Sequence, residues 1–151
     1  MQLSQITKVA LDQAKIAKLK KEVPIGAVVF SEKKIISKAY NQILTKNDPL
    51  AHAEIIALKK ASKKLLTNNL TNLMLYVTLE PCIICCYAIS KFKIGSLYFG
   101  SYDSKNGSIQ NGEKIFLKSK NIYKPKVYGG IAAKESEALI KEFFRNLRKN
   151  S

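Results

Sequence analysis

The residues that this 151-residue sequence contains rarely are its most restrictive feature. It has one histidine, His52, and three cysteines, at positions 82, 85 and 86. A closed structural zinc site needs four ligands, so very few side chains are left to build one. No run of about 20 apolar residues occurs, and no transmembrane helix is expected. So few cysteines, two of them assigned to a metal below, favour a reducing compartment, and we expect a cytoplasmic protein.

Acidic residues are also scarce: the sequence has 26 Lys and Arg against 11 Asp and Glu, a formal net charge of +15. Such an excess favours a polyanionic partner, with nucleic acid as the first candidate. Codon bias is the alternative, because all but Arg145 and Arg148 of the basic residues are lysines, as an AT-rich coding sequence would produce. Codon bias does not explain the scarcity of acidic residues, so RNA binding is the favoured interpretation.

Hydrophobic periodicity predicts a single domain over residues 1–151, built from alternating strands and helices. Predicted helices lie at about 2–20, 51–65, 82–91, 115–117 and 134–149, and predicted strands at 25–30, 34–40, 73–79, 96–99 and 126–128. Pro24 is expected to end the first helix, Ser31–Lys33 to form a hairpin turn, and Gly100 to stop the fourth strand. The long crossover before the last strand favours a parallel pair. This layout predicts the α/β class: a three-layer α/β/α sandwich with a mixed five-stranded sheet.

Two short motifs supply the chemistry, His52-Ala53-Glu54 and the Pro81–Cys85 stretch, Pro-Cys-Ile-Ile-Cys. Cysteines three residues apart share one face of a helix, and Pro81 favours a helix start. The positive end of a helix favours thiolate there. With the imidazole of His52, the two thiols make three zinc ligands, the number typical of catalytic sites that keep a fourth position for water.

Glu54 completes this constellation without binding the metal. Residues two apart do not share a helix face, so His52 and Glu54 can address one site only if a helix begins near residue 51 or 52. Glu54 would then take a proton from the activated water and return it to the substrate ring and the leaving amine. Cys86 lies about 100° around a helix from Cys85, and we interpret it as a small buried hydrophobic residue.

Each motif has a commoner explanation when it stands alone. A single histidine is usually a packing or surface residue, and Cys-x-x-Cys is often redox-active or part of a structural zinc site. In this order and spacing, the two motifs together are typical of zinc-dependent nucleobase deaminases. Both are predicted at helix N-termini, one directly after a strand, where the ligand crevice of an open α/β sheet lies.

The stretches around these motifs resemble bacterial tRNA-specific adenosine deaminases, of the cytidine deaminase-like superfamily. The matching residues are 22–29, 47–55, 75–82, 94–95, 98–100, 103–105 and 143–145. The resemblance implies hydrolytic deamination of adenosine to inosine at the wobble position of tRNA anticodons, with one zinc ion per subunit. It also implies a homodimer that contacts the anticodon stem-loop.

The resemblance assigns roles residue by residue. It implies that His52, Cys82 and Cys85 bind zinc and that Glu54 moves the proton. The side chain of Asn41 and the backbone of Ala53 would hold the target base. Four further positions map near the RNA-facing surface: Asp103, Lys105, Phe144 and Arg145.

The sequence also departs from the family pattern. Tyr87 stands where the family often has glycine, in a helix that is a candidate for the dimer interface, and residues 108–122 match poorly.

Two other functions use the same residues. A deaminase of a free base or nucleoside, such as guanine or cytosine, is disfavoured by the basic charge and the terminal Phe143-Phe144-Arg145. A non-catalytic RNA-binding module with a structural zinc is disfavoured by Glu54, because zinc does not need that carboxylate.

Overall fold

A computed structural model describes residues 1–150, so Ser151 of the predicted domain lies outside the described residues. The helices are α1 Leu3–Leu19, α2 Ala53–Leu65, α3 Ile83–Lys91, α4 Ile115–Lys118 and α5 Ala133–Lys149. The strands are β1 Gly26–Phe30, β2 Ile35–Tyr40, β3 Met74–Leu79, β4 Ser96–Ser101 and β5 Lys126–Tyr128. They form one sheet in the order β2-β1-β3-β4-β5.

The sheet is mixed, as predicted. Strand β1 runs antiparallel to β2 and β3, whereas β3, β4 and β5 run parallel to one another. Successive side chains of each strand point to opposite faces of the sheet. One face packs on α2 and α3, and the other packs on α1 and α5. The predicted three-layer α/β/α sandwich is therefore confirmed.

Helix α1 ends within a residue of the predicted position, but the backbone at Lys21, and not Pro24, ends it. Lys21 adopts a left-handed backbone with φ of 62°. The N–H of Glu22 then donates to the carbonyl of Ala17 at 2.9 Å, and the N–H of Lys21 donates to that of Lys18 at 3.0 Å. This is a Schellman motif, which closes the helix by satisfying its last carbonyls. It also turns Glu22 inward, where its side chain is buried.

Gly100 does not stop β4, contrary to prediction, because the strand continues to Ser101. A Cβ atom at this position would lie 2.4 Å from the carbonyl oxygen of Thr78 and 2.6 Å from the hydroxyl of Ser136. Glycine is therefore required for the close approach of β3 and α5 to this strand.

The two predicted motifs lie at one edge of the sheet. The Pro81–Cys85 stretch follows the carboxyl end of β3, and His52 and Cys82 immediately precede α2 and α3. Among residues 1–150, each helix is too short or too polar to cross a membrane.

Candidate metal centre and active site

Three side chains form a compact group of metal-ligating atoms: His52, Cys82 and Cys85 lie within 4.8 Å of one another. The sulfur of Cys85 is 3.4 Å from Nδ1 of His52, and the sulfur of Cys82 is 3.7 Å from the same nitrogen. In a tetrahedral site with Zn–S of about 2.3 Å and Zn–N of about 2.0 Å, nitrogen and sulfur stand about 3.5 Å apart. The donor set and its spacing therefore fit a zinc ion.

The ends of two helices create this group. His52 is the N-cap of α2 and Cys82 is the N-cap of α3, both with extended backbones. Cys85 is the third residue of α3, so it returns to the same side as Cys82. Pro81 precedes the N-cap instead of occupying the first helical position. Helices α2 and α3 each begin one or two residues later than predicted.

The ring of His52 is oriented for metal binding. Its Nε2 lies 3.1 Å from the carbonyl oxygen of Pro49, to which it donates a hydrogen bond. This bond fixes the tautomer and leaves the lone pair of Nδ1 facing the thiols, the arrangement usual for metal-bound histidines. A hydrogen bond with Cys82 raises the pKa of His52, although burial opposes the shift.

The two thiols ionise very differently. A hydrogen bond from the Cys85 thiol, with further help from His52, lowers the pKa of Cys82 to about 4. The same hydrogen bond, together with burial, raises the pKa of Cys85 well above its usual range. Of the two thiols, Cys82 is the one whose thiolate is favoured, and thiolate is the form that binds metals. Cys86 is fully buried, as predicted, and lies outside the ligand group.

Glu54 lies in the first turn of α2 and is only 4% exposed. Burial is the main reason why its pKa is raised, and the negative charge of Cys82 adds to the shift. Both His52 and Glu54 face one cavity, as predicted for residues that straddle a helix start. A carboxyl group with a raised pKa beside a metal centre is suited to accepting and returning a proton.

His52 and Cys82, together with Glu54, line a cavity of about 940 Å³. Five of the residues proposed from the sequence to bind substrate line the same cavity: Asn41, Asp103, Lys105, Phe144 and Arg145. Asn41 is 3% exposed and follows the end of β2. The sixth, Ala53, has its side chain buried in the hydrophobic core, so only its backbone remains available. Helix α5 supplies the outer wall, to which Arg148 also contributes.

Sequence reasoning missed two buried carboxylates that hold loops, and one of them, Glu80, lines the cavity. Glu22 accepts hydrogen bonds from the N–H of Leu44 at 3.0 Å and from the N–H and hydroxyl of Thr45, both at 2.6 Å. Glu80 accepts five hydrogen bonds from residues 103–111. Both lie in stretches that carried the family resemblance. An acidic residue directly after the buried strand 73–79 was the one signal that could have drawn attention to Glu80.

The sequence matches the family model of MafB19-like deaminases over residues 1–148. It is 43% identical over 141 residues to a tRNA-specific adenosine deaminase of Rickettsia bellii, covering 92% of this chain and 97% of that protein.

Two solved structures are also similar. One, from a study of A-to-I editing by tRNA:A34 deaminases at the wobble position, has a TM-score of 0.87 and 38% identity. The match covers 90% of this chain and 99% of that one. A guanine deaminase from Bacillus subtilis has a TM-score of 0.65 and 32% identity, over 68% of this chain and 66% of its own.

The hydrogen bonds to Glu22 predict a pH-dependent contribution to stability. Burial alone would raise the pKa of Glu22, but hydrogen bonds from Thr45 and Leu44 outweigh it and hold this pKa below 4.5. A lowered folded-state pKa stabilises the protein above the unfolded value, and the gain is lost as the pH falls through the folded-state pKa. Glu22→Gln should cost about 2–3 kcal/mol at pH 7. The difference from the parent should shrink as the pH falls below the unfolded-state pKa of about 4.3 and through the lower folded-state pKa.

Urea denaturation at each pH measures this difference. Glu32→Gln, a substitution at an exposed position, should change the free energy of unfolding by less than about 0.5 kcal/mol. A difference between Glu22→Gln and the parent that stays constant with pH would contradict the role of the carboxylate.

Proposed function

This chain belongs to the MafB19-like deaminase family and to the tRNA-specific adenosine deaminases, and we propose that it uses one zinc ion per subunit to deaminate the wobble adenosine of a tRNA anticodon stem-loop. The observation that carries the proposal is the group of His52, Cys82 and Cys85 beside the buried Glu54. His52, Glu54 and Cys82 line a cavity whose wall also carries basic and aromatic residues.

The reaction consumes adenosine and water and yields inosine and ammonia. His52, Cys82 and Cys85 would hold the zinc ion, which when bound would polarise the attacking water and lower its pKa toward about 7. Glu54 takes one proton from the water and gives it to N1 of the purine as the water oxygen bonds to C6. It then moves the second proton from that oxygen to the amine, and the C6–N bond breaks to release ammonia. Burial raises the pKa of Glu54, so its carboxyl group can hold a proton between the water and the acceptor nitrogen.

The base is held by groups close to the metal centre. The buried amide of Asn41 can donate and accept hydrogen bonds at the polar edge of a purine. The backbone of Ala53, between the metal ligand and the proton carrier, is the second candidate contact. A wobble nucleotide already lies in a loop, so moving it out of its stack costs only a few kcal/mol or less.

The outer part of the cavity suits single-stranded RNA. Lys105 and Arg145 can neutralise phosphates, and the ring of Phe144, 40% exposed, offers a surface for base stacking. A free base would use only the inner part of the cavity. For this reason we favour tRNA over guanine or cytosine, although a guanine deaminase shares the fold.

A non-catalytic zinc module remains the weaker candidate, because binding zinc does not require a buried Glu54. We also infer one deaminase domain, because the five strands form a single sheet. We expect it to act in the cytoplasm, where tRNA and reduced thiols occur together.

Three apolar side chains on the outer side of α3 support a homodimer. Ile83, Ile84 and Tyr87 are 38%, 46% and 44% exposed, although α3 otherwise packs against the core. Neighbouring exposed apolar residues of this kind mark contact surfaces in soluble proteins. We propose that this face of α3 contributes to the dimer contact.

Glu54→Gln should retain zinc and stem-loop binding but lower kcat by roughly 10³-fold, because the proton carrier is lost. Inosine release is measured by mass spectrometry, and metal content by elemental analysis. Glu113→Gln, outside the cavity, is the matched control and should remain active. Cys82→Ala should fail to retain zinc. Substantial turnover by Glu54→Gln would remove Glu54 from the mechanism.

The substrate is tested by incubating the zinc-loaded protein with an anticodon stem-loop that carries adenosine at the wobble position. Free adenosine, cytosine and guanine are incubated in parallel. We expect inosine from the stem-loop and little product from the free compounds. Efficient deamination of guanine or cytosine, with an inert stem-loop, would support the free-base alternative instead.

Tyr87→Asp should shift the protein from dimer to monomer, because it places a charge within an apolar contact. Light scattering after size-exclusion chromatography measures the mass. Leu19→Asp, at an apolar position that is 84% exposed on α1, should leave the oligomeric state unchanged. A dimer that persists in Tyr87→Asp would rule out this face of α3.

A further inference from the structure

We propose that Glu80 is a positioning residue: it holds the loop of residues 103–111 against the metal centre, so that Lys105 meets the RNA backbone. The proposal rests on the proposed function. Glu80 is 2% exposed and follows β3 directly, two residues before the metal ligand Cys82. It therefore connects the metal-binding segment to the wall that faces the substrate.

The carboxylate of Glu80 accepts hydrogen bonds from both ends of this loop. Its Oε1 accepts from the N–H of Asp103 at 3.0 Å and from the side-chain amide of Asn111 at 2.7 Å. Its Oε2 accepts from the N–H groups of Ile109, Gln110 and Asn111 at 3.0, 2.8 and 3.0 Å. All five partners are donors, so only an acceptor with two free oxygens can satisfy them together.

The loop is shaped around this carboxylate. A Cβ atom at Gly107 would lie 2.5 Å from the carboxyl carbon of Glu80, so glycine lets the backbone pass directly over it. The N–H of Ser108 donates to the carbonyl of Pro81 at 2.9 Å, which adds a second tie to the metal-binding segment.

The hydrogen bonds to Glu80 determine the position of Lys105. Oδ1 of Asp103 accepts from the N–H groups of Lys105 and Asn106 at 3.0 and 3.1 Å, which forms a tight turn. Because the N–H of Asp103 is itself held by Glu80, the turn that presents Lys105 is anchored to the same carboxylate. Residues 103–106 all line the cavity, so a displaced loop would move the RNA contact without touching the zinc ligands.

Glutamine at position 80 would place an NH2 group, a donor, opposite N–H groups that also donate. The lost hydrogen bonds would loosen the loop. Glu80→Gln should raise KM for the stem-loop about 10-fold, while kcat stays within about 3-fold and zinc content is unchanged. Lys105→Ala should raise KM in the parent but add little in the Glu80→Gln background. The salt dependence of binding should fall by about 0.7 per lost phosphate contact in either single variant, and no further in the double variant.

Glu22→Gln is the matched control, because Glu22 is an equally buried carboxylate that holds residues 44 and 45 instead. In that background Lys105→Ala should keep its full effect on KM. Asn111→Ala removes one of the five hydrogen bonds to Glu80. Its effect on KM should be coupled to that of Lys105→Ala in the same sense but less strongly. This variant replaces Glu80→Gln if the latter does not fold. Independent effects of positions 80 and 105 on KM would overturn the proposal.

Amide hydrogen exchange separates this proposal from the proposed function. Glu80→Gln should speed exchange at residues 103–111 whatever the substrate is. Unchanged exchange there would overturn the positioning role, whereas a parent protein that forms no inosine would overturn the proposed function alone.

Discussion

The meeting of two helix N-termini at one edge of the sheet is the constraint on which the rest of this structure depends. The first turns of α2 and α3 bring an imidazole nitrogen to 3.4 and 3.7 Å from two sulfurs that are distant in sequence. A hydrogen bond from the Cys85 thiol favours the thiolate of Cys82, and the positive end of a helix favours negative charge at the same place. The cavity lined by His52, Glu54 and Cys82 lies at this point.

Three glutamates of this chain, Glu22, Glu54 and Glu80, are buried, and their environments give them different properties. Glu22 and Glu80 lie among backbone N–H donors, and these hydrogen bonds keep the pKa of each carboxyl group low despite its burial. They remain charged and act as anchors for loops. Burial dominates at Glu54 and raises its pKa, which suits a group that must gain and lose a proton. Burial alone therefore does not identify a catalytic carboxylate. The number of hydrogen-bond donors around it determines whether its pKa is raised or lowered.

Much of this could be predicted from the sequence, because periodicity and motif spacing are local signals. The alternation of strands and helices, the parallel pairing at the end of the sheet and the metal group all followed from them. Gly100 was misread as a stop, because its close contacts involve residues distant in the chain. The roles of Glu22 and Glu80 were missed for the same reason: most of their partners are main-chain N–H groups of residues distant in the chain, which leave no mark on residue type.

The proposed metal centre is open, with three protein ligands and a free position for water. X-ray absorption spectroscopy of the zinc-loaded protein distinguishes an open centre from a closed one. An open centre should show one zinc ion per chain with two sulfur ligands, one imidazole nitrogen and one further light-atom ligand, and Cys86→Ala should leave the spectrum unchanged. A third sulfur in the zinc shell, lost on Cys86→Ala, would show a closed structural site and rule out an open centre.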